Sequence, residues 1–408
     1  VTTRFRFPPE FAWGISTSSY QFEESADVGD GAGWFETDWD RCLVSRRKAP
    51  PRGGATWSWS HFEKDLQALK ELGVTHYRLG LEWARIEPKP GRYNEAAIDR
   101  YVEMAEKLRA AGIEPIVCLW HFTFPSWLYQ AKRPGESNWL HPEARTRWLA
   151  FFRKILPRLS PTVRIFAPQN EPNGQLVTAY LGGLWPPATH FRFNLYNRAM
   201  EACVRHFQDA AAAIRRVDST ARVLSIHALP WWIDGQLDAR HVLYRQLEDA
   251  NYLHLGKVAG VCDWLGINYY YSQVTSPVSF LAFGKHRGPN YSMMGWRIDP
   301  DGLYNQIREV GARYGKPMFI TENGVATLNE EKRIAYFEKH LRAVERAVLE
   351  GVDVRGYFVW SLVDNYEWHY GYEAKFGLSA MNPVTHDREW RSSGDWYRDT
   401  IRASRGSK

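Results

Sequence analysis

Cysteine is scarce in this sequence: four residues in 408, at positions 42, 118, 203 and 262. None forms a Cys-x-x-Cys pair and no histidine stands beside them at ligand spacing, which excludes a disulfide scaffold and gives no metal site. Cys118 and Cys262 lie in apolar runs and read as small core residues. So few cysteines fit a reducing compartment. No run of eighteen apolar residues occurs, which excludes a spanning helix and a membrane partner. The opening Val1-Thr2-Thr3-Arg4-Phe5 has no apolar signal core, so a cytoplasmic location is expected, although a removed leader would leave the same start. Charge of one sign does not accumulate: 52 Lys and Arg face 46 Asp and Glu, with Arg46-Arg47-Lys48 as the only basic cluster. That argues against a nucleic-acid surface. Repeats, low-complexity segments and Pro/Ser-rich linkers are absent, so residues 1–408 read as one domain whose polar tail, from about residue 397, frays. A glycine-rich phosphate turn is missing after the first apolar run, which argues against an open dinucleotide-binding sheet.

Aromatic residues, by contrast, are abundant, at 15% with 19 Trp. They fill cores, and they also stack on the C–H faces of sugars. Eight apolar, strand-like runs occupy residues 11–16, 74–79, 113–119, 163–167, 222–227, 264–269, 317–321 and 356–361. Amphipathic stretches at 61–72, 95–111 and 330–350 carry apolar residues at helical spacing. Gly73, Gly112 and Gly351 close such helices just before strands. Strands alternating with helices imply parallel pairing, and eight such units imply a closed (β/α)8 barrel. Its active site lies at the C-terminal ends of the strands.

Those ends are where polar and aromatic residues gather. Asn170-Glu171-Pro172 follows the fourth run, and Glu322 emerges from Phe319-Ile320-Thr321-Glu322-Asn323-Gly324. A protonated carboxyl group paired with an ionised one is what cleavage of a glycosidic bond requires. Taken singly, Glu171 reads as a turn residue and Glu322 as half of a buried ion pair. Arg78, Asn268 and Tyr270 also fall at strand ends, where Arg78 and Tyr270 would hold Glu322 ionised. Glu171, without such a cation, would keep a proton to donate. Gln21, His121, Trp360, Glu367 and Trp368 supply groups suited to vicinal hydroxyls and ring faces. Alone, His121 reads as a core histidine. Only the fifth end, near His227, offers nothing assignable.

Taken in order, these motifs are specific. With Tyr20-Gln21-Phe22-Glu23, Tyr77-Arg78, Asn268-Tyr269-Tyr270, Met294-Gly295-Trp296 and the segment from Trp360 to Trp368, the chain resembles the glycoside hydrolase family 1 β-glycosidases from Phe11 through Leu378. The resemblance implies a retaining double displacement, with Glu171 as acid/base and Glu322 as nucleophile roughly 5–5.5 Å apart. It implies glycone contacts from Gln21, His121, Asn170, Glu367 and Trp368, with Trp360 beneath the ring, Phe376 among the binding residues and Trp296 at the aglycone entrance. The expected substrates are β-glucosides and related saccharides or aryl glycosides, with β-galactosides and β-fucosides as secondary ones. Neither metal nor cofactor is implied, and a homo-oligomer is compatible with it. Glu367 would repel a sugar phosphate. Departures from the usual pattern fall at Glu24-Ser25, Glu82 and Phe122-Thr123, which bear on aglycone shape and glycone preference.

Overall fold

The computed structural model describes residues 4–25, 35–234, 242–275 and 284–405, with side chains omitted at 242–246. Eight parallel strands close into a barrel: β1 (Ala12–Ser16), β2 (His76–Gly80), β3 (Glu114–Cys118), β4 (Ile165–Ala167), β5 (Arg222–Ala228), β6 (Trp264–Tyr269), β7 (Met318–Asn323) and β8 (Val354–Val359). Each pairs with the next, and β8 returns to β1 through Ala12–Gly356 and Ile15–Val359. Long helices follow the strands in turn: α1 (Phe62–Leu72), α2 (Glu95–Ala110), α3 (Ala144–Leu159), α4 (Phe193–Val217), α5 (Val242–Val258), α6 (Pro300–Tyr314), α7 (Glu330–Leu349) and α8 (Ser392–Arg405). This is a (β/α)8 barrel.

Strand periodicity builds two apolar layers. Alternate residues Ile116 and Cys118, Ile165 and Ala167, and Leu224 and Ile226 fill the barrel interior with Phe319 and Phe358. The intervening residues meet the helices, where Trp148, Phe151 and Phe152 of α3 are buried. Gly73 ends α1 in the left-handed region at φ 74°, its N–H on the carbonyls of Leu69 and Lys70. The strand follows at once.

Two boundaries differ from the sequence reading. The eighth strand starts at Val354 and ends at Val359, so Trp360 and Ser361 lie beyond it. The C-terminal segment does not fray: residues 392–405 form α8, with Tyr397 and Ile401 buried. Tyr397 packs edge-on against Trp13, ring centroids 5.9 Å apart, and donates its hydroxyl to the Gly14 carbonyl at 3.3 Å. The apolar spacing of Tyr397 and Ile401 on one helix face outweighs the polar composition around them. Tyr397→Ala should cost about 3 kcal/mol of stability, as truncation of a buried aromatic does. Urea unfolding checks this, and an unchanged midpoint would mean that α8 does not seal the β1–β8 seam.

Candidate active site

The segment Thr321-Glu322-Asn323-Gly324 is shaped residue by residue. Register along β6 jumps from Ile267–Ile320 to Asn268–Glu322, which leaves Thr321 as the extra residue of a bulge. Two further shifts lie on the β8 side, between Val354 and Gly356 and between Tyr357 and Val359. Bulges re-aim side chains at barrel rims, and this one presents Glu322 to the mouth. Thr321 is fixed by its hydroxyl on Asn268 Oδ1 at 2.7 Å and by its carbonyl, which accepts from Ser16 at 2.5 Å. Asn323 is fully buried and anchors the strand end through the Tyr269 carbonyl (2.6 Å) and the hydroxyls of Tyr336 and Tyr357. A Cβ on Gly324 would overlap the Trp360 carbonyl oxygen, so the motif needs glycine there.

Both oxygens of Glu322 are occupied. The Arg78 guanidinium from β2 pairs with one, and the Tyr270 hydroxyl donates to the other. Arg78 is fully buried and also donates to Asn170 Oδ1 at 3.0 Å. Burial opposes charge on Arg78, but Glu322 more than restores it, leaving the guanidinium more basic than usual.

Glu171 sits in a different environment. It caps the short helix Pro172–Leu176 from the left-handed region at φ 44° and ψ 49°. Its N–H on the Ile226 carbonyl (2.9 Å) and its carbonyl on the Gln175 N–H (3.0 Å) hold it there. A non-glycine residue in that region carries about 1–2 kcal/mol of strain, and such strain gathers at functional sites. Asn268 Nδ2 donates to Glu171 Oε1 at 2.7 Å and to Asn170 Oδ1 at 3.2 Å. Among the described residues Glu171 has no ion-pair partner. Burial, and then the charge of Glu322, push its carboxyl from 4.5 up to about 8, against the Asn268 hydrogen bond and Arg78.

The two glutamates face a cavity of about 550 Å³. Of the residues singled out in the sequence, Gln21, His121, Asn268, Tyr270, Trp296, Trp360, Glu367, Trp368 and Phe376 also line it. Arg78 and Asn170 do not. They lie fully buried behind the wall, where the Asn170 amide is taken up by Arg78, Asn268 and His121.

At the inner end, Gln21 Nε2 donates to Glu367 Oε2 at 3.2 Å and to Asn365 Oδ1 at 3.0 Å, while Trp368 stacks on Tyr20 with centroids 5.6 Å apart. Burial, and then Glu322, raise the Glu367 carboxyl to about 8. His121 is kept neutral by burial and by Arg78. Asn170 Nδ2 lies 3.3 Å from His121 Nε2, which assigns the proton to Nδ1, an atom with no partner among the described residues.

Several lining residues were missed in the sequence. Thr178, Leu184 and Trp185 come from the segment after Glu171, and Ala228 and Pro230 from the fifth strand end. That end therefore contributes wall rather than nothing, while His227 turns outward to His254 on α5 at 2.9 Å. Gly174, Tyr271, His369 and Tyr370 line it too, and Phe122, noted in the sequence as a departure from the family pattern, is also part of the wall. Among the described residues no cluster of His, Cys, Asp and Glu is arranged to hold a metal ion, and no helix is long and apolar enough to cross a membrane.

A half-enclosed, aromatic-walled cavity at the C-terminal mouth of a (β/α)8 barrel, with two carboxyl groups in contrasting settings, defines a barrel hydrolase. The model of the family described as glycosyl hydrolase family 1 matches residues 3–233 and 245–406, and the chain belongs to that family. It is 30% identical to a bifunctional β-D-glucosidase/β-D-fucosidase of Bifidobacterium breve, over 97% of this chain and 98% of that one. It is 27% identical to β-glucosidase A of Acetivibrio thermocellus, over 98% and 99%. Among solved structures, a β-glycosidase from Pyrococcus horikoshii superposes with a TM-score of 0.84 at 28% identity, over 98% of this chain and 96% of that one.

Proposed function

We propose that the protein is a retaining β-glycosidase whose main substrates are β-D-glucosides, with β-galactosides and β-fucosides as secondary ones. The observation that carries this is the contrast between the two carboxyl groups. Glu322 is tied to Arg78 and Tyr270, whereas Glu171 has only an amide partner and is pushed toward its protonated form. Glu322 bonds to the anomeric carbon as the glycosidic C–O bond breaks, and Glu171 gives its proton to the leaving oxygen. Water then attacks the same carbon and passes a proton to Glu171, and Glu322 is released. Arg78, Tyr270 and Asn268 position the two glutamates. Gln21, His121, Glu367 and Trp368 bind the glycone, Trp360 and Phe376 bound its pocket, and Asn170 acts from behind by orienting His121 and Asn268.

The relatives named above for glucosides and fucosides support the substrate class. The test is NMR of the first product from an aryl β-glucoside, together with kcat/KM over aryl β-glucoside, galactoside, fucoside, mannoside and xyloside. The β-anomer should appear first. The mannoside should trail the glucoside by about 100-fold, because a pocket built to hydrogen-bond hydroxyls rejects a misplaced one. The α-anomer appearing first would overturn the reading.

A further inference from the structure

Glu82 is a fully buried carboxyl group that takes no part in bond cleavage. Among the described residues no cation forms an ion pair with it. Burying a carboxyl group without such a partner is costly, so its hydrogen-bond donors are what hold it in place.

Those donors come from three strand ends. Oε1 accepts from the Ala84 N–H at 3.1 Å, which caps the short helix Trp83–Ile86 after β2. Oε2 accepts from the Thr123 hydroxyl, beyond β3, at 3.0 Å and from the Ser19 hydroxyl, beyond β1, at 3.4 Å. The join to the β1 end is reinforced. The Tyr101 hydroxyl accepts from the Glu82 N–H at 3.1 Å and donates to Glu23 at 2.8 Å, where Arg85 also donates at 3.1 Å. A Cβ on Gly80 would lie 2.7 Å from the Ser19 nitrogen, so glycine lets the end of β2 meet that backbone.

Ser19 and Thr123 each stand two residues from a side chain that faces the glycone. Ser19 opens the short helix Ser19–Phe22, in which Gln21 takes the Ser18 hydroxyl on Oε1 at 2.8 Å and points its amide N–H at Glu367. Thr123 closes the turn that presents His121. Its N–H donates to the His121 carbonyl at 3.0 Å across Phe122, which sits at φ 73°. A three-residue turn with positive φ at its centre is the rare, strained form. It persists only where its surroundings over-determine it. The Thr123 hydroxyl on Glu82 is one such restraint, and the Phe124 N–H on Asp38 at 2.8 Å is another. Glu82 and Thr123 are also two of the positions at which the chain departs from the usual family pattern.

We propose that Glu82 is a positioning residue for glycone recognition. By tying the Ser19 and Thr123 segments to the end of β2, it sets the spacing of Gln21 and His121, and so the discrimination between sugar hydroxyl groups. The inference rests on the reading of Gln21 and His121 as glycone-binding residues. The test measures kcat/KM for 4-nitrophenyl β-D-glucoside and its 3-, 4- and 6-deoxy analogues, which reports the penalty for each missing hydroxyl. Thr123→Val removes a donor to Glu82 and should lower kcat/KM on the parent glucoside about tenfold to 100-fold, the scale of a small misplacement. The penalty for at least one missing hydroxyl should shrink by a similar factor, and Thr123→Ser should restore both. Glu82→Gln, which replaces one acceptor oxygen by an N–H donor, should act in the same direction. Thr123→Val keeps the test open should that variant fail to fold. Equal losses on all four substrates, with the penalties unchanged, would overturn the proposal. The glycone reading fails separately, if Gln21→Ala and His121→Ala leave the wild-type penalties as they are.

Discussion

Replacing Glu322 by alanine is expected to lower kcat on an aryl β-glucoside by roughly 10⁴-fold or more, the scale on which loss of a covalent nucleophile falls. The fold should survive. Glu322 lies at the end of β7, and the strand end is held by Asn323 on the Tyr269 carbonyl and by Thr321 on Asn268, neither of which involves the glutamate. The variant leaves Arg78 as a buried cation whose remaining hydrogen bond, among the described residues, is to Asn170 Oδ1. An uncompensated buried charge destabilises by about 3–5 kcal/mol, so Glu322→Gln is the gentler companion because it keeps an oxygen for Arg78. Added azide should restore turnover of Glu322→Ala and give the α-glucosyl azide, since the small anion attacks from the face the glutamate has vacated. Unchanged turnover in Glu322→Ala would remove the nucleophile assignment.

Replacing Glu171 by alanine should produce a different signature. The step that needs a proton slows in proportion to the basicity of the leaving group. An alkyl glucoside should lose about 10³-fold or more and a dinitrophenyl glucoside far less, within the scale of general acid catalysis. Azide should rescue this variant with retention, giving the β-glucosyl azide, because it enters from the side that Glu171 occupied.

The pH profile supplies a second readout. The Glu171 carboxyl is raised to about 8 by burial and by the neighbouring charge of Glu322. An acid catalyst works in its protonated form, so kcat/KM should hold on the acid side of that value and fall about tenfold per unit above it. Because the raised group is the one being removed, the alkaline limb should vanish in the azide-rescued variant. An alkaline limb that persists in Glu171→Ala would place the titrating proton elsewhere. Glu367 is then the group to examine, since it too is raised to about 8.

Much of this site was legible in the chain because its chemistry is concentrated in short segments at strand ends. Glu171 and Glu322 stand out as charges beside apolar runs. Arg78 and Tyr270 follow from asking what could satisfy Glu322, and both do so. Other features depend on geometry that no run of residues advertises. The bulge at Thr321 decides where Glu322 points, yet Ile320-Thr321-Glu322 reads as ordinary alternation. Asn170 was expected to touch the sugar because an amide beside a glutamate suits that purpose. In the structure its side chain is buried and meets three others, Arg78 and Asn268 at Oδ1 and His121 at Nδ2. Part of the cavity wall escaped notice because Ala228, Pro230, Thr178 and Leu184 are unremarkable residues until the barrel brings them to the cavity that Glu171 also lines. At the C-terminus, the charges around Tyr397 and Ile401 concealed a pattern that was nevertheless present.

Closure of the barrel through β1 and β8 bears on how the protein is made. The partner of Ala12 is Gly356, so the first strand waits for nearly the whole chain to be synthesised before its outer edge is paired. Until then a nascent or truncated chain carries two open parallel edges, β1 and the last strand completed, and such edges recruit other chains. Contacts this distant in sequence also form slowly. Chains truncated before residue 360 should therefore accumulate as aggregates rather than as smaller soluble barrels. Completion of α8 over Trp13 and Gly14 then acts as the latch that makes ring closure hard to reverse.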